Sequence, residues 1–281
     1  MTLATMEASG LSLLAAASWG GGDFSGGLAA KRASVFRVVA VAHACGLLAM
    51  LAMVWLTSEA VPPRVDLLWG AFAGFAGAFG IAALYKALAI GRMGVVAPVA
   101  SVVTGVLPVL FSLQMEGMPD RIQLFGFTLA LVSIWLVARP NNLADSRRGL
   151  GLAVLAGVMF GLFLVAGRQA GHHGVFWPLV LARCASIVLM VTIVAIVPRD
   201  PRPLRTVIWP VVLSGLLDSA GNALFIAATR HGRLDVAAVL SSLYPASTVI
   251  LARVLLKERM SIMQVAGIVG ALVSVALISV R

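Results

Sequence analysis

Charge is what this chain is short of. Only 11% of its 281 residues are Asp, Glu, Lys or Arg, while 60% are hydrophobic. A soluble domain of this size needs more polar surface than that to face water, so that class is excluded. Cysteine is scarcer still. Cys45 and Cys184 are the whole supply, and both sit inside apolar stretches, which excludes a disulfide framework and a cysteine metal site. Acidic residues number 11 against 21 Lys and Arg. The basic residues are scattered over short connections and form no basic helix face, so the net charge of +10 does not describe a nucleic-acid surface. There is no His-Glu-x-x-His metalloprotease motif and no phosphate-binding P-loop. His172-His173 has no partner His, Cys or carboxylate at metal spacing and reads as solvated loop. Neither metal nor cofactor is expected. The first apolar segment lacks a basic leader and is preceded by Glu7, so it does not read as a signal peptide.

What the chain has is apolar length. A helix needs about 20 mostly apolar residues to cross a bilayer. Ten stretches qualify: roughly 10–30, 35–56, 67–89, 94–114, 122–138, 149–169, 177–197, 207–228, 234–254 and 262–280. Short connections with turn or charge signals separate them, such as Lys31-Arg32, Pro62-Pro63-Arg64, Gly117-Met118-Pro119-Asp120 and Arg199-Asp200-Pro201. The longest, 139–148, contains Pro140, Asn141, Asn142 and Asp145.

The second half of the chain repeats the first. Ala83-Leu84-Tyr85 aligns with Ala223-Leu224-Phe225, Gly91-Arg92 with Gly232-Arg233, and Val95-Val96-Ala97 with Val236-Ala237-Ala238. Further matches are Phe24 with Phe163, Val35-Phe36 with Val175-Phe176, Trp69 with Trp209, Glu116 with Glu258, and Gln123 with Gln264. The expected fold is an all-α polytopic membrane protein of ten transmembrane helices. Two five-helix repeats, 1–139 and 140–281, make one integrated membrane domain. Five is odd, so the second repeat enters the membrane inverted. The charges agree. Lys31, Arg32, Arg37, Lys86 and Arg92 follow spans 1 and 3, against Arg64 and Arg121 after spans 2 and 4. In the second half the bias reverses at homologous connections: Arg168, Arg230 and Arg233 against Arg199, Arg202, Arg205, Arg253, Lys257 and Arg259. Over the chain, 14 basic residues lie on the face of the 1–2 connection and six on the face of the termini. The positive-inside rule then puts both termini outside the cytoplasm.

Polar residues inside spans are costly and mark function. Asp23 lies in Trp19-Gly20-Gly21-Gly22-Asp23-Phe24-Ser25-Gly26-Gly27. Its glycines weaken the helix, which points to a substrate- or proton-binding carboxylate on a locally unwound segment; the alternative is a tight packing face. Ser214, Asp218 and Asn222 recur every four residues and form one polar stripe on span 8. Such a stripe faces a cavity, or it staples to the Ser241, Tyr244, Thr248 stripe of span 9. His43 and Arg183 are repeat equivalents on spans 2 and 7. A buried Arg183 needs Asp23 or Asp218 as partner; the alternative is snorkelling to a nearby interface. Tyr85 and Lys86 end span 3, with Lys86 an interfacial anchor. A carboxylate held away from water can exchange protons near neutrality, so Asp218, Asp23 and His43 are candidates for proton coupling. Pro98, Pro108 and Pro245 break or bend helices 4 and 9. The candidate cavity residues are therefore Trp19, Asp23, Tyr85, Arg183, Ser214, Asp218, Asn222, Ser241 and Tyr244.

These pieces resemble the EamA family of the drug/metabolite transporter superfamily. They are Trp19-Gly20 with Asp23-Phe24, Ala182-Arg183, the two Ala-Leu…Gly-Arg…Val-Ala hairpins, and Leu243-Tyr244-Pro245 followed by Lys257-Glu258-Arg259 and Gln264. The resemblance implies inverted repeats around a central cavity lined by helices 1, 3, 4, 6, 8 and 9, with 5 and 10 peripheral. It implies a multi-pass inner (plasma) membrane protein, not an enzyme, that moves a small polar or amphipathic metabolite by alternating access, with proton coupling and export both open. Lipid and a small-molecule substrate are the implied partners; nucleic acid is not, and a homodimer is open. The halves have diverged. Span 2 carries His43 where span 7 has Arg183, and Pro108 lies eight residues before Glu116 whereas Pro245 lies thirteen before Glu258. Family members are often drawn with cytoplasmic termini, against the charge count here. Two other classes compete. Gly20-Gly21-Gly22-Asp23 fits the Gly-x-Gly-Asp pattern of intramembrane aspartyl proteases, with Asp218 as second carboxylate, but Leu217 stands where a tyrosine belongs and no Pro-Ala-Leu motif occurs. A membrane receptor or scaffold would need neither the polar stripe nor the reversed charge bias.

Overall fold

The computed structural model describes residues 3–91, 93–115, 117–138, 148–197, 202–255 and 261–279, and among these it contains helices and no strand. Apolar runs become α1 (Leu3–Ala30), α2 (Val35–Thr57), α3 (Arg64–Ile90), α4 (Met93–Met115) and α5 (Arg121–Ala138) in the first half. The second half forms α6 (Leu150–Ala170), α7 (Phe176–Ile196), α8 (Ile208–His231), α9 (Leu234–Ser241), α10 (Tyr244–Leu255) and α11 (Ile262–Ser279). A 3₁₀ turn, Leu204–Val207, leads into α8. Spans 1–8 are α1–α8, span 9 is α9 with α10, and span 10 is α11. Among the described residues, five are by themselves long and apolar enough to cross a bilayer: α2, α3, α6, α7 and α8 with its leading turn. Leu48, Trp55, Val188 and Trp209 point away from the protein, as lipid-facing side chains do.

Span 9 differs from the other spans. Its helix stops at Ser241 and restarts at Tyr244. Pro245 has no N–H to continue the ladder, and Leu243 bonds back to Leu240 instead. Ser101 of α4 donates a hydrogen bond to the Ser242 carbonyl at this break. Pro98 and Pro108 do not interrupt α4, which runs unbroken from Met93 to Met115. Arg92, Glu116, residues 139–147, Arg199-Asp200-Pro201 and Lys257-Glu258-Arg259 lie outside the described residues, as do the side chains of Pro98, Arg253 and Gln264.

Packing between the halves obeys a pseudo-two-fold relation in which span n takes the place of span n+5. α1 runs along α8, and its equivalent α6 runs along α3. α3 packs on α7 as α8 packs on α2. α4 meets α6 as the two parts of span 9 meet α1, and α5 pairs with its own equivalent, α11. With five spans per repeat, the two repeats stand inverted. Small residues bring the crossings together. Gly70 and Gly74 of α3 lie against the backbone of Pro178 and Ala182 of α7, and Gly215 of α8 lies against that of Ala42 of α2.

The connections sort into two faces. On the termini face, the Glu59 carboxylate accepts backbone N–H bonds from Val175, Phe176 and Trp177, all between 2.8 and 3.2 Å, at the start of α7. Trp177 Nε1 returns a 3.0 Å bond to the Glu59 carbonyl. Asp66 is buried, and its carboxylate holds His173 Nδ1 at 2.9 Å. His172 and His173 are exposed loop residues, as their sequence setting suggests, and the contact to Asp66 adds a carboxylate partner that spacing did not show. Arg233 is paired with the fully buried Asp235 at 2.8 Å and donates to the Gly117 carbonyl at 2.8 Å. On the opposite face, Arg37 donates to the Arg202 carbonyl and Arg202 to that of Lys31.

Candidate functional site

A cavity of about 50 Å³ lies where the repeats meet. In this conformation that is room for a few waters or for the polar head of a small solute. Spans 1 to 4 and 6 to 9 all contribute side chains to its wall. Spans 5 and 10 contribute none of the described lining residues. The implied six-helix wall is thus too short: α2 adds His43, and α7 adds Ala182, Arg183 and Ser186.

Asp218 is the polar hub. Its Oδ2 receives Arg183 Nη2 at 2.6 Å, lies 3.7 Å from His43 Nε2, and accepts a 3.5 Å bond from Asn222 Nδ2. The Asn222 Oδ1 in turn accepts a 2.8 Å bond from the Trp19 indole N–H. His43 Nδ1 bonds the Ser186 hydroxyl. One connected network therefore joins α1, α2, α7 and α8. Arg183 does not snorkel. It is 4% exposed, and its Nε has no hydrogen-bond partner among the described residues. Gly46 of α2 leaves space for this guanidinium and for Ser219, and Gly221 leaves space for the Trp19 ring. Trp19 also tilts against Phe225, with ring centroids 5.8 Å apart.

Asp23 is placed differently. It lines the cavity and is 7% exposed, yet no hydrogen-bond or ion-pair partner of its carboxylate occurs among the described residues. The expected unwinding around it is absent: α1 is a continuous helix from Leu3 to Ala30. Its glycines serve approach instead. Gly20 meets Tyr244, Ser247 and Thr248 of α10, Gly22 meets α8 at Ser214 and Asp218, and Gly26 lies under the Tyr85 ring.

Six of the candidate residues thus share one cavity wall: Trp19, Asp23, Arg183, Asp218, Asn222 and Tyr244. Tyr85, Ser214 and Ser241 lie elsewhere. The Tyr85 hydroxyl is 2.6 Å from Ser214 Oγ, which ties α3 to α8 behind the cavity. Ser241 donates to the Ser12 carbonyl at 3.3 Å. Thr248 donates to the Gly20 and Tyr244 carbonyls and the Tyr244 hydroxyl to the Ala97 carbonyl, so the span 9 stripe bonds α1 and α4 rather than the Asp218 stripe. Sequence reasoning missed Ser186, Thr104, Phe160 and Phe163 in the wall. Ser186 had a usable signal, since it follows Arg183 by one helical turn and so shares its face. The two phenylalanines had none, because they are ordinary apolar residues of an apolar helix.

The EamA-like transporter family model matches the chain twice, over residues 7–139 and 147–280. The chain belongs to the EamA-like transporter family. Two copies of the family's unit fill it nearly end to end, in keeping with the paired helix contacts. No curated protein matches the chain. Solved structures share the fold: one, described simply as a protein crystal structure, superposes with a TM-score of 0.74 at 20% identity, covering 96% of this chain and 95% of its own. The protein is thus a multi-pass membrane protein of a transporter family, and that family's drug/metabolite type implies a small-molecule substrate in a lipid setting.

Proposed function

We propose that this protein is a secondary transporter that moves a small polar or amphipathic metabolite across the plasma membrane by alternating access. The observation that carries the reading is the Arg183–Asp218 pair with its His43, Asn222 and Trp19 neighbours, set in a cavity between inverted repeats. A buried charge network is expensive in a membrane, and a site for a polar solute is the function that repays it. The repeats 1–139 and 140–281 rock about this cavity, and the interruption in span 9 supplies a flexing point beside it. Of the candidates Asp218, Asp23 and His43, Asp23 is the one with no charged partner among the described residues, and it is the group proposed to carry a coupled proton. An aspartyl-protease dyad fits less well: it needs two carboxylates sharing a proton, and Asp218 is committed to a guanidinium.

Protein reconstituted into liposomes loaded in turn with small metabolites should release at least one faster than protein-free vesicles do. Asp218→Asn should abolish that release while the protein stays monodisperse. Cleavage of a membrane-embedded peptide that is lost in both Asp23→Asn and Asp218→Asn would overturn the proposal.

A further inference from the structure

The fixed charges of the cavity do not balance. Arg183 and Asp218 neutralise each other at 2.6 Å. His43, the other basic side chain of the described wall, contacts Asp218 and Ser186, not Asp23. Asp23 is left as a second carboxylate, nine-tenths buried, facing the same space with no partner among the described residues. An isolated carboxylate in a low-dielectric site is held there by a proton or by a cation that replaces it. The rest of the wall favours the cation. Trp19, Phe160, Phe163 and Tyr244 line the cavity, and aromatic faces attract positive charge while also packing against an apolar body. No second Lys or Arg lines the described wall, so an anionic solute would meet the Asp23 and Asp218 charges with a single, already paired guanidinium.

From this imbalance we propose that the substrate is a compact organic cation, a protonated amine with a small apolar or aromatic body, whose ammonium binds Asp23. Asn222 and the Trp19 ring orient the remainder. The Arg183–Asp218 pair acts as a neutral polar wall rather than as an anion receptor. Proton and amine are then alternative occupants of one carboxylate. The inference rests on the cavity being the substrate site, and its test reads binding rather than flux, so it stands or falls apart from transport.

Purified protein in detergent is titrated with benzylamine, with benzoate, and with neutral benzyl alcohol, following the thermal unfolding midpoint and heat of binding. Benzylamine should raise the midpoint and bind at least tenfold more tightly than either analogue. Asp23→Asn should erase that preference, and Asp23→Glu, which keeps the charge, should retain it. If Asp23→Asn does not fold, the wild-type order of affinities and Asp23→Glu still decide. Benzoate or benzyl alcohol binding as tightly as benzylamine overturns the proposal, as does benzylamine bound equally by wild type and Asp23→Asn. Amine binding without any measurable flux would support this site and count against the transport reading.

Discussion

Arg183 on α7 and Asp218 on α8 hold one another at 2.6 Å in the wall of the central cavity, with side chains 5% and 18% exposed. Neither residue is tolerable there alone. Removing one partner leaves an uncompensated buried charge, which typically costs about 3–5 kcal/mol. Asp218→Asn and Arg183→Met should each lower the thermal midpoint in detergent by several degrees. The double variant should lose clearly less than the sum of the two, and strict additivity would show that the pair is not coupled.

The helix crossings depend on glycine where backbones touch. A Cβ at Gly70 would sit 2.5 Å from the Pro178 carbonyl oxygen, whereas one at Gly151 meets nothing within 4 Å. Gly70→Val should therefore separate α3 from α7, with an overpacking cost of about 1–3 kcal/mol and loss of monodisperse protein. Gly151→Ala should be neutral or gain up to about 1 kcal/mol. Size-exclusion profiles and thermal midpoints of the two variants make the comparison.

Glu59 serves as an acceptor for the first amides of α7, reaching it from the start of the 2–3 connection. Glu59→Ala should cost about 1–2 kcal/mol, in line with loss of a helix cap. Hydrogen exchange should quicken at Val175, Phe176 and Trp177 and hardly change at the start of α6. Unchanged protection at those three amides would mean that the cap contributes nothing.

Much of this was legible because membranes impose coarse rules. Spans 1 to 8 and 10 appear as expected from apolar length alone, and the inverted repeat was carried by the two Ala-Leu…Gly-Arg…Val-Ala hairpins and reversed charges. The spacing of Ser214, Asp218 and Asn222 fixed their shared helix face, and the need of a buried arginine for a carboxylate named Asp218 among the partners of Arg183. Helix-to-helix register was not legible. Nothing local tells His173 that Asp66, 107 positions away, will meet it. Nor does spacing tell whether Tyr85 turns into the cavity or, as it does, toward Ser214 behind it. The glycines around Asp23 pointed to weak helix, but a bilayer penalises unpaired backbone, and close packing let the helix persist.

The charge count predicts a sidedness, with 14 Lys and Arg on the face of the 1–2 connection and six on the face of the termini. The expected result is that Lys31, Arg37 and Arg202 lie in the cytoplasm. In a Cys45→Ala, Cys184→Ala background, Arg202→Cys should resist an impermeant thiol reagent applied to whole cells, and Met118→Cys should react with it. The reverse pattern would place the termini in the cytoplasm.

The divergence between the halves bears on what the carrier does on each side of the membrane. His43 and Arg183 hold equivalent positions, as do Gly46 and Ser186, yet only the second member of each pair supplies an arginine or a hydroxyl. Exchanging the roles of the two repeats therefore does not reproduce the same binding surface. Under the proposed alternating access, the outward-open and inward-open forms would not be mirror images, and a solute would meet a different affinity from each compartment. Such inequality cannot by itself concentrate the solute. It would set the concentration at which each side saturates, so a carrier of the proposed kind would behave as a kinetically lopsided valve even when nothing is coupled to it.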